Sequence, residues 1–160
     1  LRLNRTPASE AEAREELYLA LIRDCPNTTA AQEAFWALSD LYLDAFEEPQ
    51  EESAREMLEL FLERYPDSIW ILQVKNRLIS LYQGSDNPGR LCSLSEELLT
   101  RETDPAARLA LAWTCAEAAR AAGDGGKAER WYSFVIKEYP TAPEARDARD
   151  RLKILERGKK

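Results

Sequence analysis

The chain has 160 residues, 44% of them hydrophobic and 32% charged, with 22 basic and 29 acidic side chains and a net charge of −7. This is about one domain's length, apolar enough for a core and ionic enough for a charged surface. Histidine is absent, which excludes His-based triads, His general bases and HExxH zinc sites; no apolar run approaches the ~18–20 residues of a membrane span, and the acidic balance suits nucleic acid poorly.

No stretch alternates with a two-residue period, so strands are not expected. Helical periodicity instead predicts an all-α chain with helices over 9–24, 29–44, 51–65, 68–83, 89–101, 106–122, 126–139 and 142–157. Residues 1–8 read as a flexible N-terminal segment and 9–157 as a single repeat domain. Ser9 and Glu12 have the spacing of a capping box at the first helix, and Cys25 at its far end reads as an apolar face position. Thr28 or Thr29 opens the second helix. Ahead of and within the third lies an acidic stretch (Asp44, Glu47, Glu48, Glu51, Glu52, Glu56, Glu59). It reads as a solvated loop plus carboxylates favoured at a helix N-terminus; it lacks EF-hand spacing. Ser68 opens the fourth helix, where Trp70 reads as a structural cover. Gly84, Gly123 and the prolines at 26, 66, 88, 105 and 140 all fall between helices. Connections this short make successive helices antiparallel neighbours. The last helix carries a narrow stripe of Ala145, Ala148, Leu152 and Leu155, as a terminal cap would.

Charge is unevenly spread. Residues 1–80 hold 8 basic and 16 acidic residues, whereas 146–160 hold 7 basic and 3 acidic ones. The three cysteines, Cys25, Cys92 and Cys115, form no CxxC pair and no metal-ligand spacing, and an odd number permits at most one internal disulfide. They leave the redox compartment open. No signal peptide is visible, and a chain that begins with Leu1 reads as a processed or truncated segment.

The sequence repeats itself. Leu17, Leu21, Ile22, Cys25-Pro26 and Thr28 align with Met57, Phe61, Leu62, Tyr65-Pro66 and Ser68 at an offset of 40, and Leu38, Leu41 and Tyr42 align with Leu78, Leu81 and Tyr82. Ala54, Leu58, Phe61, Tyr65 and Pro66 recur 74 positions later as Ala128, Tyr132, Val135, Tyr139 and Pro140. The fifth helix, with Leu91, Leu94 and Leu98, fits this template poorly.

These residues resemble the tetratricopeptide repeat, most clearly over Leu109–Ala142. There Ala116, Ala119, Ala128, Tyr132 and Pro140 stand where that family places small, aromatic and proline residues, and Gly123-Asp124-Gly125-Gly126 forms the turn within the pair. The resemblance covers roughly residues 12–155 and implies a right-handed α-solenoid of about eight antiparallel helices. Phe61–Pro66 and Val135–Pro140, with the Tyr65-Pro66-Asp67-Ser68 junction, look similar to bacterial cell-envelope repeat proteins of the Tol–Pal accessory and outer-membrane assembly lipoprotein type. That similarity implies a scaffold in the periplasm or cell envelope.

In such a solenoid the first helix of each pair faces the concave side. Trp36 and Trp113 stand at equivalent positions there, one residue past the packing site, and tryptophan is enriched at binding hot spots. The expected partner-binding residues are Glu33, Trp36, Asp40, Asn76, Trp113, Glu117 and Arg120, with the tryptophans as apolar anchors and the polar groups setting register. Trp131 aligns with Met57 and Leu17 and reads as buried. No GxSxG elbow or phosphate-binding loop occurs, so a non-catalytic protein-interaction scaffold is expected, without cofactor or metal, binding a protein or peptide. The chain would be a monomer or weak homo-oligomer. The competing reading is an oligomerisation module joined through the open solenoid ends, or a helical arm of a larger protein.

Overall fold

A computed structural model describes residues 8–158. Among them are eight helices and no strand: α1 (Ala8–Asp24), α2 (Thr29–Asp44), α3 (Glu51–Arg64), α4 (Ile71–Tyr82), α5 (Pro88–Leu99), α6 (Pro105–Ala121), α7 (Gly125–Glu138) and α8 (Pro143–Gly158). The expected all-α class and the expected helices are present. The segment expected to be flexible lies outside the described residues, apart from Ala8, which already belongs to α1.

Local chemistry sets most boundaries. Thr28 caps α2, its hydroxyl accepting from the Ala31 N–H at 3.2 Å. Asn87, Asp104 and Asp124 cap α5, α6 and α7 by accepting from the N–H groups of Arg90, Ala107 and Lys127 at 3.1, 2.8 and 2.9 Å. Each cap satisfies an amide that the first helical turn leaves without an intrahelical partner. Pro88 and Pro105 then occupy the first turn, where a missing N–H is harmless. Gly84 and Gly123 end α4 and α6 in the left-handed region, at φ of 87° and 78°, which glycine enters without a Cβ clash.

Two boundaries depart from expectation. Ser9 lies inside α1, which already includes Ala8. Ser68 does not open α4 directly. Its hydroxyl accepts from the Trp70 N–H at 3.2 Å and its carbonyl from the Ile71 N–H at 3.2 Å, so a tight turn intervenes and the helix begins at Ile71.

The described chain divides into two compact units, the first ending at Val74 and the second beginning at Lys75. In the first, α1 packs on α2 and α2 on α3. Ala31, Ala34, Phe35, Leu38, Leu41 and Tyr42 are buried along one stripe of α2, and Ala54, Leu58 and Phe61 meet them from α3. This is the three-and-four spacing of an inward helix face. Phe35 stands edge-on to Phe61 and Tyr65, each 5.9 Å away between centroids. The Tyr65 hydroxyl donates to the Pro26 carbonyl, and the Tyr42 hydroxyl to Glu15 Oε1 at 2.7 Å, tying α3's end and α2 back toward α1.

In the second unit α6 is central, packing on α5 and on α7, with α8 against α7. Ala112, Cys115, Ala116, Ala118 and Ala119 are buried on α6, and Ala128, Trp131, Tyr132 and Val135 on α7. Small side chains on α6 let two neighbours approach it closely. The stripe on α8 is present, with Ala145 and Ala148 fully buried and Leu152 and Leu155 half-buried. The poorly matching α5 still buries Leu91, Leu94 and Leu98.

Cys25 corrects another expectation: it is exposed, because α1 stops at Asp24 and the cysteine sits in the turn beyond. Cys115 and Cys92 are both buried. Trp131 is buried as expected, at 8% exposed, whereas the positions aligned with it differ: Met57 is half-buried and Leu17 is 58% exposed.

Ser39 sits fully buried in α2 with no partner for its hydroxyl. A buried hydroxyl left unpaired costs about 1–3 kcal/mol, and alanine also has the better helix propensity. Ser39→Ala is therefore expected to raise stability by about 1–2 kcal/mol in urea denaturation; a loss of stability would mean the hydroxyl does hold a partner.

Candidate functional site

The candidate residues on α2 belong to the first unit. Burying the Ala31–Phe35–Leu38 stripe turns Glu33, Trp36 and Asp40 onto an adjoining face, with Glu33 exposed and Trp36 and Asp40 half-buried. Trp36, Trp70 and Gln73 line an open depression of about 200 Å³. The turn before α4 positions the second ring: Ser68 Oγ donates to Gln32 Oε1 at 2.7 Å while accepting from the Trp70 N–H, so the turn is fastened to α2. In its satisfied orientation the Gln73 amide donates to the carbonyls of Trp70 and Ile69 at 3.2 and 3.3 Å. Next to this depression Ile69 is 87% exposed and Leu72 is also exposed. Trp70, taken from the sequence as a cover, thus shares a surface with Trp36.

Asn76, Trp113, Glu117 and Arg120 belong to the second unit. Asn76 is exposed on α4, its carbonyl accepting from Ser80 Oγ at 3.3 Å. Trp113 is half-buried and meets Tyr132 edge-on at 5.8 Å. Glu117, one turn on, accepts from the Tyr132 hydroxyl, from Arg120 at 2.8 Å and pairs with Arg151 Nε at 3.4 Å. The last three candidates are therefore brought together on α6, and Glu117 joins α6 to α7 and α8. Burial works against its charge, but hydrogen bonds from Arg120 and Tyr132 and the positive charges of Arg120 and Arg151 hold its pKa below the ordinary carboxylate value. The Arg120 guanidinium is correspondingly held above its own ordinary value, chiefly by its hydrogen bond to Glu117. Burial, with the bond to Glu117, pushes the Tyr132 phenol up.

No family model matches this sequence, and no curated protein does.

Two further features were not anticipated. Glu96 on α5 accepts from the Trp131 indole N–H at 2.8 Å and pairs with Lys127 at 3.4 Å and Arg130 at 3.9 Å. The Arg130 guanidinium lies 4.9 Å above the Trp131 ring. Glu96, Arg130 and Trp131, with Leu99, Arg108 and Phe134, line an open depression of about 420 Å³. Arg108 is committed to the backbone there, donating to the Leu99 and Glu102 carbonyls at 3.1 and 2.8 Å. The signal for Glu96 was present: a buried indole requires an acceptor. The second feature is an open depression of about 650 Å³ in the first unit, lined by Leu19, Ile22, Met57, Leu60, Tyr65 and neighbouring cationic side chains.

Among the described residues no group of three or more Cys, Asp or Glu side chains could hold a metal ion. No described helix is long and apolar enough to cross a membrane.

Proposed function

We propose that this chain is a non-catalytic protein-binding scaffold, an α-solenoid of tetratricopeptide-type helix pairs that takes a peptide or helix from a protein partner, in a bacterial cell envelope. Short connections between antiparallel-capable helices, and full burial of the small positions Ala54, Ala116 and Ala128, support the repeat reading. The observation that carries the binding role is the surface where Trp36 and Trp70 line one depression while Glu33 and Asp40 stand one turn to either side of Trp36. Two half-buried indoles supply apolar area and π faces, and the flanking carboxylates favour cations. The fitting partner segment is a bulky apolar side chain next to lysine or arginine. Desolvation of the ring contacts would supply affinity, and the acids a salt-sensitive orientation.

Selection from a random peptide display library on the immobilised chain tests this reading. Enriched peptides should carry an apolar residue beside a basic one. Trp36→Ala and Trp70→Ala should each weaken them by about tenfold or more, with helix content unchanged by circular dichroism. Peptides that bind the double variant equally well would overturn the assignment of the site. Binders lost instead on Leu19→Glu would move function to the apolar depression between α1 and α3 and favour the oligomerisation reading.

A further inference from the structure

Of the three cysteines, two are neighbours in the core of the second unit. Cys92 on α5 is 1% exposed and Cys115 on α6 is fully buried. The Cys115 thiol reaches the Cys92 carbonyl at 3.8 Å, so one cysteine's sulfur touches the other residue directly. Their helices pack directly on one another, and the small residues around Cys115 allow the close approach that an S–S bridge requires. Cys25 is exposed in the turn after α1 and belongs to the other unit.

We infer that Cys92 and Cys115 are the site of one internal disulfide, closed while the chain folds in an oxidising compartment and linking α5 to α6. A small-molecule disulfide such as glutathione disulfide suffices as the oxidant. One cysteine thiolate attacks a glutathione sulfur, breaking its S–S bond, forming a mixed disulfide and expelling a glutathione thiolate. The second cysteine thiolate then attacks the protein sulfur of that mixed bond and expels the other glutathione. The protein loses two electrons, the oxidant gains them as two thiols, and the two cysteine protons pass to the departing thiolates.

The timing follows from the surroundings. Once α6 is packed, burial pushes both thiols up from their ordinary pKa, and the charge of Glu96 adds to the effect. Little thiolate is then present near neutral pH, and no oxidant reaches either sulfur. The pair reacts before packing or hardly at all, so a chain folded under reducing conditions stays reduced.

The full chain, unfolded and reduced, is refolded in a mixture of reduced and oxidised glutathione, then alkylated under denaturing conditions and mapped by mass spectrometry. The expected product has Cys92 linked to Cys115, a loss of two hydrogens from the peptides that carry them, and Cys25 alkylated or carrying glutathione. Its Tm should exceed that of the reduced chain by roughly 5–10 °C, from the loop closed between the two helices. The Cys25→Ser variant should give the same bridge, and Cys92→Ser or Cys115→Ser should abolish it. Native reduced chain in the same buffer should leave Cys92 and Cys115 unoxidised over hours. Free Cys92 and Cys115 after oxidative refolding, bridges shared equally with Cys25, or an oxidised product that has lost its helical signal would each overturn the assignment.

Discussion

Phe35→Ala should cost the chain about 3–5 kcal/mol, the range for emptying an aromatic site in a packed core. The ring is fully buried, faces Phe61 and Tyr65 edge-on at 5.9 Å, and has the Arg64 guanidinium 5.8 Å from its centre. Truncation removes the apolar transfer term and leaves three neighbours without a partner surface. Because Phe61 and Tyr65 also touch each other at 5.2 Å, they are braced and cannot readily collapse into the void. Phe35→Leu keeps much of the volume and should cost less, about 1–2 kcal/mol. Urea denaturation followed by circular dichroism reads both variants, and hydrogen exchange should place the lost protection in α2 and α3. A cost below about 1 kcal/mol for the alanine variant would contradict the burial of this ring.

Glu117→Ala is the second large effect, about 2 kcal/mol of lost stability. The carboxylate serves Tyr132, Arg120 and Arg151 together. Removing it leaves the phenol of a fully buried tyrosine without its acceptor, and an unpaired buried donor costs its full desolvation. Its pH dependence distinguishes this tie from simple packing. The folded carboxyl titrates below its ordinary value of 4.5, so it binds protons less readily folded than unfolded. Its stabilisation is therefore complete above the unfolded value and disappears as pH falls through the lower folded one. The stability gap between the parent chain and Glu117→Gln should be widest near neutral pH and should close as pH falls through the lowered value of the folded carboxyl. A gap independent of pH would leave Glu117 without an ionic role in the fold.

That same residue shows what the sequence makes legible. Counting along α6 correctly puts Trp113, Glu117 and Arg120 on one face, because helical spacing is a local property. It cannot reveal that the Tyr132 hydroxyl, from the next helix, ends at the Glu117 carboxylate. Helix boundaries were readable for the same local reason: prolines, glycines and capping residues act on their own turn. Ser68 was misplaced by three residues because a serine that caps a helix and one that closes a tight turn look alike in sequence. The repeat alignment had the opposite weakness. It treated Leu17 and Trp131 as equivalent, yet burial depends on what lies against the helix and not on the helix's own pattern. Trp131 has Phe134 against its ring and Glu96 on its indole N–H, whereas Leu17 stands on an open face of α1.

The four tryptophans are divided evenly, Trp36 and Trp70 before Val74 and Trp113 and Trp131 after it. Their emission is thus a built-in optical record of each unit. Replacing Trp36 and Trp70 with phenylalanine leaves a chain whose fluorescence comes from the second unit alone; replacing the other pair reverses the view. Recording both variants through one thermal ramp would show whether the two halves melt as a single event or in succession, without any attached dye.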